Sequence, residues 1–485
     1  MSLFNLKKKS KRKITNRAGA MAYKQSPEYR LVTLLLTNFL QRQFYRKANQ
    51  SAAELLQLSQ EVDAEFVAKA AVYARHEFGM RSVTHLLAAA LAKQASGQDW
   101  GKSFYDRIVR RPDDMLEIVA AYQQQSTANG KLTNAMRKGF AKAFDRFDGY
   151  QLAKYRGDGR EFKLVDLVNL VRPVPTQRNA RALAELVEGK LRNTQTWESK
   201  LTAAGQTDDQ QDAKKAAWMD LLVSNKLGYF ALLRNLRNIL STNPEAIGLV
   251  REQLTDEKRI KTALVLPFRL LTAYKELSNF QDAQLRRLVL EALEVAIERS
   301  CANLPELNNS LVVVDNSGSM QSPVAGSPKV ACSELGALFG MALARRSNAD
   351  LMEFGTTARM LKYRLRQGIL EFSRDFAGNN RVGHGTNFDA IFAKARKAYD
   401  RIIIFSDMQS GLHRQSGNSA LLRYRMRTGS SPTVYTINLR GYGTSHFSPD
   451  KIIELAGFSE KLFDLMAVAE QDPEVLLNAI RGVEW

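Results

Sequence analysis

The chain has 485 residues, too many for one core and suited to two or three domains; its 45% apolar content excludes global disorder, and no apolar run approaches the roughly 20 residues that span a bilayer. Lys and Arg total 70 against 50 Asp and Glu, a formal +20 carried unevenly: residues 1–50 hold 12 basic side chains and one acid, Glu28, whereas residues 441–485 hold three basic and eight acidic ones, so a polyanionic partner is expected for the front of the chain. Only Cys301 and Cys332 occur, which excludes a disulfide framework and a cysteine-rich zinc site; with an opening MSLFNLKKKSKRK that does not read as a secretory signal, the composition points to a reducing, cytoplasmic setting.

Residues 1–24 read as a flexible basic arm. Lys7, Lys8, Lys9, Lys11, Arg12 and Lys13 repel one another and have no apolar partner face. Ser26-Pro27-Glu28 then reads as a helix start: Ser caps, Pro tolerates the first helical position, and Glu suits the positive end. Ser51 to Glu54 has the spacing of a capping box, and Asp63 precedes a helix-like run to Arg75. From 25 to about 300 helix follows helix, with short breaks at Gly130, Arg172-Pro173-Val174-Pro175, Gly205–Asp209 and Asn243-Pro244. Leu285, Leu288, Ala292 and Val295 mark one face of a long example. This pattern predicts an α-solenoid of helical repeats or a helix bundle, without an exact sequence period.

After the linker Cys301–Asn309 the pattern changes, and residues 308–485 form a second domain. Leu311–Val314, Asp350–Phe354, Ile402–Phe405 and Val434–Leu439 read as strands; Cys332–Arg346, Asn387–Tyr399 and a segment from Asp472-Pro473 read as helices. Strands alternating with helices predict a doubly wound parallel sheet.

The first of these strands ends in Asp315-Asn316-Ser317-Gly318-Ser319. One carboxylate and two hydroxyls on a tight loop suit a hard cation, and the carboxyl edge of an open α/β sheet is where ligands bind. Gly383-His384-Gly385-Thr386-Asn387 offers another hydroxyl and Phe405-Ser406-Asp407 another acid, both where such a fold reaches the same edge. Together the three segments resemble the metal-ion-dependent adhesion site of von Willebrand factor A domains. The resemblance implies Mg²⁺ or another divalent cation, with Asp315, Ser317 and Ser319 as first-loop ligands, Thr386 as the second-loop ligand, and Asp407 in the third loop, reaching the metal through water. Such a site leaves a coordination position for an acidic group of a partner, which makes it a recognition device and not a catalyst. His384 reads as a turn residue between two glycines or as a base.

Several segments of the helical region resemble the TROVE module of the Ro autoantigen family: Gly228-Tyr229-Phe230-Ala231-Leu232-Leu233-Arg234-Asn235-Leu236-Arg237-Asn238, Val72-Tyr73-Ala74-Arg75, Asp166-Leu167-Val168 with Arg172–Pro175, and Thr196-Trp197-Glu198. The resemblance implies a monomeric ring of HEAT-like repeats over residues 25–300, closed by the A domain. It implies binding of Y RNAs on the outer rim, acceptance of single-stranded 3′ ends of misfolded noncoding RNAs in a central hole, and work beside an exoribonuclease.

Arg137, Lys138, Lys154, Tyr155, Arg156, Arg160 and Arg172 form a basic series with an interleaved aromatic, suited to phosphates and to stacking on an unpaired base. The family's Y RNA surface lies on a similar stretch. Arg234 and Arg237, three residues apart on one helix face, read either as an inner rim contacting RNA backbone or as a buried brace to a carboxylate. Arg75, His76 and Arg81 are further candidates for that face, with His76 also readable as structural. The expectation is a non-enzymatic RNA-binding scaffold for noncoding RNA; the alternative is a Mg²⁺-dependent protein-interaction scaffold whose basicity is incidental. The sequence carries no phosphate-binding P-loop, and the two acids share their loops with hydroxyls, which disfavours a two-metal nuclease.

Overall fold

The computed structural model describes residues 13–15, 21–37, 48–125, 131–192, 197–206, 209–263, 267–301, 304–324, 327–363, 367–409, 417–440, 444–445, 447, 452–457, 465–466, 472 and 474–485. The basic run Lys7–Arg12, the break at Gly130 and Thr196 lie outside them. The described chain falls into two compact units: one of residues 1–48, 229–237 and 247–477, the other of 49–228, 238–246 and 478–485.

Among the described residues, every regular element between Pro27 and Ser300 is helical. Local chemistry sets several of the starts. Ser26 Oγ accepts from Tyr29 N at 3.1 Å and opens the helix Pro27–Thr37. Asp63 Oδ1 accepts from Phe66 N at 2.9 Å and opens Ala64–Glu77. Ser51 does not cap: its helix runs Ala48–Glu61, so Ser51 sits inside it and is buried. The long helix Ala283–Ser300 is capped by Asp282, and its buried stripe is Leu285, Val289, Ala292, Leu293, Ala296 and Ile297. Val295, expected on that stripe, is exposed, because the face that packs is turned toward the 289, 293 and 296 positions.

The strands are β1 (Lys13–Thr15), β2 (Met21–Lys24), β3 (Ser310–Asp315), β4 (Pro323–Val324), β5 (Ser327–Ala331), β6 (Asp350–Phe354), β7 (Ala358–Leu361), β8 (Arg401–Ser406), β9 (Thr433–Asn438), β10 (Thr444–Ser445) and β11 (Ile452–Ala456). The main sheet has the order β11-β9-β8-β3-β6-β7, parallel throughout except for the antiparallel edge pair β6–β7. Val312 of β3 lies opposite Leu351 and Ile403 on its two neighbours. Helices cover both faces, as a doubly wound sheet requires. Leu311, Val313, Ile402 and Ile404 pack with Phe388, Ile391, Phe392 and Tyr424 on one side. On the other, the helix Cys332–Arg346 approaches so closely that a Cβ at Gly340 would stand 2.6 Å from a methyl of Val314.

The stretch expected to be a flexible arm contains two strands. β1 pairs antiparallel with β2, and the far edge of β2 pairs with β10, so backbone hydrogen bonding orders residues whose charges alone predicted none.

Candidate metal centre and nucleic-acid surfaces

β3 and β8 lie side by side in the middle of the sheet, so the residues that follow them meet at one edge. Asp315, Ser317 and Asp407 are completely buried, and Ser319 and Thr386 nearly so. Backbone hydrogen bonds tie the loops together. Gly318 N donates to His384 O at 2.8 Å, Asn387 N to Gly355 O at 2.9 Å, and Asn316 N to Phe354 O at 2.9 Å. The loop carrying Thr386 is thereby held against the loop carrying Ser317 and Ser319. Ser317 Oγ lies 3.4 Å from Ser319 Oγ, and Ser406 Oγ donates to Asp315 Oδ2 at 2.5 Å. Met408, just beyond Asp407, takes a left-handed φ of 57°, which turns the third loop sharply away from β8. His384 contributes its carbonyl to this scaffold while its residue is exposed, the turn role of its two sequence readings.

The electrostatics of this cage are unbalanced. Burial and then the charge of Asp407 push Asp315 up to about 7, against hydrogen bonds from Ser406 and Ser317. Burial pushes Asp407 up to about 6, although the Ser319 hydroxyl and Arg440 favour its charged form. Asp407 Oδ2 is buried without a hydrogen-bond partner among the described residues. An acceptor left in that condition is costly, and a hard cation relieves it. Among the described residues no three His, Cys, Asp or Glu gather as a metal cluster. The donors here are two carboxylates and three hydroxyls, which suit a hard cation and not a soft one.

A network outside the sequence reading supports the first loop. Asn316 Nδ2 donates to the fully buried Glu353 at 2.7 Å, Glu353 accepts from Arg359 at 2.6 Å, and Asn380 Nδ2 donates to Asn316 O at 2.6 Å. Asn316 lies within the Asp315–Ser319 motif, but its partners are 37 and 64 residues away, and no local spacing signals them.

The basic candidates divide by what they touch. Arg137 and Lys138, on the helix Asn134–Ala143, are exposed, as is Arg172, which ends the helix Leu164–Val171 in a left-handed turn with φ 49°. None of these three has an ion-pair partner among the described residues. The two helices pack against one another. Tyr155 is half-buried beneath Arg111, whose guanidinium lies 4.7 Å from the ring centroid, with the Lys154 ammonium at 5.7 Å. Arg111 was missed in the sequence because it lies more than forty residues before Tyr155. Arg156 is turned inward to the Leu191 carbonyl and to Asp158, and Arg160 pairs with Glu117 at 2.8 Å. Arg172 also borders a cleft of about 650 Å³ lined by Val168, Pro173, Leu183, Val187 and Glu188.

Arg234 and Arg237 are exposed on the helix Tyr229–Thr242 and make no carboxylate brace among the described residues. The brace occurs instead at Arg75. Its guanidinium is buried 2.7 Å from Asp114, which Arg81 and His85 also contact at 3.0 and 3.1 Å. Arg81 reaches Asp113 at 2.5 Å as well, and two backbone amides, of Arg110 and Arg111, complete the shell of Asp114 at 3.0 Å. Burial pushes Asp114 up, but the His85 hydrogen bond and the Arg75 charge outweigh it and hold the carboxylate well below its usual range. His76 Nε2 donates to the Arg107 carbonyl at 2.7 Å, a structural contact. Arg75, His76 and Arg81 are therefore committed to the fold rather than presented as a free cationic face.

No helix among the described residues is long and apolar enough to cross a membrane. Residues 22–189 and 187–311 match the family model for the TROVE domain, and residues 309–468 match that for the Ro60 vWA domain. Telomerase protein component 1 of Mus musculus is 24% identical over 309 residues, 46% of this chain and 11% of that protein; its Rattus norvegicus counterpart is 23% identical over the same shares. The chain thus spans only 11% of the length of these curated relatives. The crystal structure of the Deinococcus radiodurans Ro (RSR) protein is similar in fold, with a TM-score of 0.56 and 18% identity across 94% of this chain and 100% of that one. With both family models matching in order and together covering most of its length, the chain belongs to the TROVE/Ro family of RNA-binding proteins.

Proposed function

We propose that this chain is a non-catalytic scaffold for noncoding RNA, holding folded, Y-like RNA on its cationic helices and taking single-stranded 3′ ends of misfolded RNAs. The observation that carries this reading is the exposed set Arg137, Lys138 and Arg172, cations with no acidic partner among the described residues, inside the segment that matches the TROVE domain. Unpaired surface cations are what a phosphate backbone neutralises, and the release of its counterions drives binding. A-form RNA is gripped largely through phosphates and shape, which suits helix faces that bear cations without an elaborate pocket. The setting is the cytoplasm, where the scaffold works beside an RNA-processing enzyme such as an exoribonuclease.

The oxygen cage serves recruitment in this reading. Asp315, Ser317, Ser319 and Thr386 would hold Mg²⁺ or a similar ion, with Asp407 beside them. The ion supplies a Lewis-acidic point able to take an acidic oxygen from a partner. The orphaned Asp407 Oδ2 and the raised Asp315 and Asp407 favour a cation at that place. The protein's own groups keep the carboxylates in register: Ser406 holds Asp315, and the Gln409 amide donates to Asp407 Oδ1 at 3.1 Å.

Filter binding of a folded, Y-like RNA to the wild type and to a triple variant Arg137→Glu, Lys138→Glu, Arg172→Glu tests the central part. The expected outcome is a loss of at least about tenfold in affinity, from three lost phosphate contacts. Unchanged affinity with a well-folded variant would remove these helices from the interface. If the wild type instead captures only a protein partner, lost on chelation, the Mg²⁺-dependent interaction scaffold is the better account.

A further inference from the structure

The first compact unit holds a small basic pocket of about 410 Å³ that shares only Arg234 with the candidate sites. It is built from two helical stripes. The helix Tyr229–Thr242 contributes Phe230, Leu233 and Arg234, at positions i, i+3 and i+4. The helix Phe268–Leu277 contributes Arg269, Thr272 and Glu276 at positions i, i+3 and i+7. Phe230 is 41% exposed, unusual for a large apolar ring on a helix whose other large apolar residues are buried. The guanidinium of Arg234 lies 5.9 Å from its ring centroid and that of Arg269 lies 5.5 Å from it; Arg269 also stands 4.7 Å from the ring of the buried Phe268.

Charge is the second observation. Neither Arg234 nor Arg269 has a carboxylate within ion-pair distance among the described residues. The acid in the lining, Glu276, is already matched by Lys329 at 2.6 Å. Two guanidinium groups therefore share one aromatic ring, and the acid beside them is already paired with Lys329. Burial and the charge of Arg234 hold Arg269 below its ordinary value, the mark of a cation whose counterion is missing. A nearby anion would relieve this repulsion, and the planar fork of Arg matches a phosphate.

We infer that this pocket binds one unpaired nucleotide, its phosphate between Arg234 and Arg269 and its base on the flat platform of Phe230 and the guanidinium planes. The inference rests on the RNA-binding reading and adds residues to it, since neither Phe230 nor Arg269 stood among the candidates. Arg234 changes from a general backbone contact to half of a phosphate clamp. Bases stack on aromatic rings and on Arg planes with little regard to sequence, so the pocket selects unpaired nucleotides over paired ones and not one base over another. A paired base cannot enter, because both its faces are already stacked.

Fluorescence anisotropy on the full chain tests this, with two labelled probes: a single-stranded ten-nucleotide oligoadenylate and a blunt-ended RNA hairpin. Phe230→Ala and Arg269→Gln are expected to weaken oligoadenylate binding roughly tenfold to a hundredfold and to leave the hairpin unchanged. Phe230→Trp is expected to retain oligoadenylate binding and Phe230→Leu to lose it, which separates stacking from apolar bulk. Competition by adenosine monophosphate would identify a single free nucleotide as sufficient. Failure to compete, with the Phe230 dependence intact, would identify the strand. Wild-type oligoadenylate affinity in both Phe230→Ala and Arg269→Gln would overturn the pocket while the hairpin signal kept the RNA-binding reading. A wild-type chain that binds neither probe would overturn both.

Discussion

Two buried acidic centres in this chain look alike in composition and behave in opposite ways. Asp114 is enclosed by Arg75, Arg81 and His85 and by two backbone amides; Asp315 and Asp407 are enclosed by hydroxyls and by each other. In the first centre the fold supplies the countercharge, and the carboxylate is held below its usual range. In the second the countercharge is insufficient, and burial drives both acids upward. Whether a buried charge finds its partner within the chain separates a brace from a binding site. The same division runs through the cations: Arg75, Arg81 and Arg160 are matched by acids, whereas Arg137, Lys138 and Arg172 face solvent.

The largest effect should come from breaking the brace. Asp114→Ala strands the buried guanidinium of Arg75 and leaves Arg81 with Asp113 alone; it should cost about 3–5 kcal/mol, read by urea denaturation. A cost under about 1 kcal/mol would mean that the Arg75 guanidinium is solvated once Asp114 is gone and that no buried brace exists. Next is the cage. Asp315→Asn removes one of two repelling carboxylates, so the metal-free protein should be as stable as the wild type or more so. Mn²⁺ affinity, followed by calorimetry, should fall at least about tenfold through loss of a charged oxygen ligand. Equal Mn²⁺ binding by wild type and variant would remove Asp315 from the site.

The pH dependence sharpens the contrast. Asp315 and Asp407 have folded values near 7 and 6, above the ordinary carboxylate value of 3.8. Their contribution to stability is therefore full below about pH 4 and is lost as pH rises through about 6 and 7. Asp114 is shifted the other way, so its contribution is intact above about pH 4 and constant across the neutral range. In chelator, thermal stability should fall between about pH 4 and 7, and saturating Mg²⁺ should flatten the fall. A metal-free profile that is level or rises with pH would contradict the balance of charges drawn for the cage. The smallest effect is expected at a matched surface cation. Arg160→Gln, which breaks a pair with Glu117 exposed on both sides, should change affinity for folded RNA by less than about threefold.

The parts of the fold legible in sequence were those whose burial is uniform. Leu311–Val314 and Ile402–Phe405 are central parallel strands covered on both faces, and their unbroken apolar runs show it. Cys332–Arg346 was legible to the residue because apolar side chains occupy almost its whole length. β7 was not, since an edge strand that is half-buried needs no apolar signature, and in β11, the opposite edge, Glu454 interrupts the apolar run. The helices Ile369–Gly378 and Gly417–Thr428 were also missed; the second keeps Arg423, Leu422 and Met426 on an exposed face that blurs its period. In the candidate sites, the oxygen donors sat in short motifs and could be named one by one. The fate of each arginine could not, because it depends on partners 39, 35 or 43 residues away, as for Arg75, Arg156 and Arg160.

Equilibrium binding of the wild-type chain to a folded, Y-like RNA, measured by filter retention from about 50 to 200 mM salt, shows whether phosphate contacts to unmatched cations hold the RNA. The expected affinity falls steeply and linearly on logarithmic axes, with a slope of magnitude about 2 or more from the three unmatched cations alone. Binding that does not change over that range, or no binding at its lower end, would contradict it.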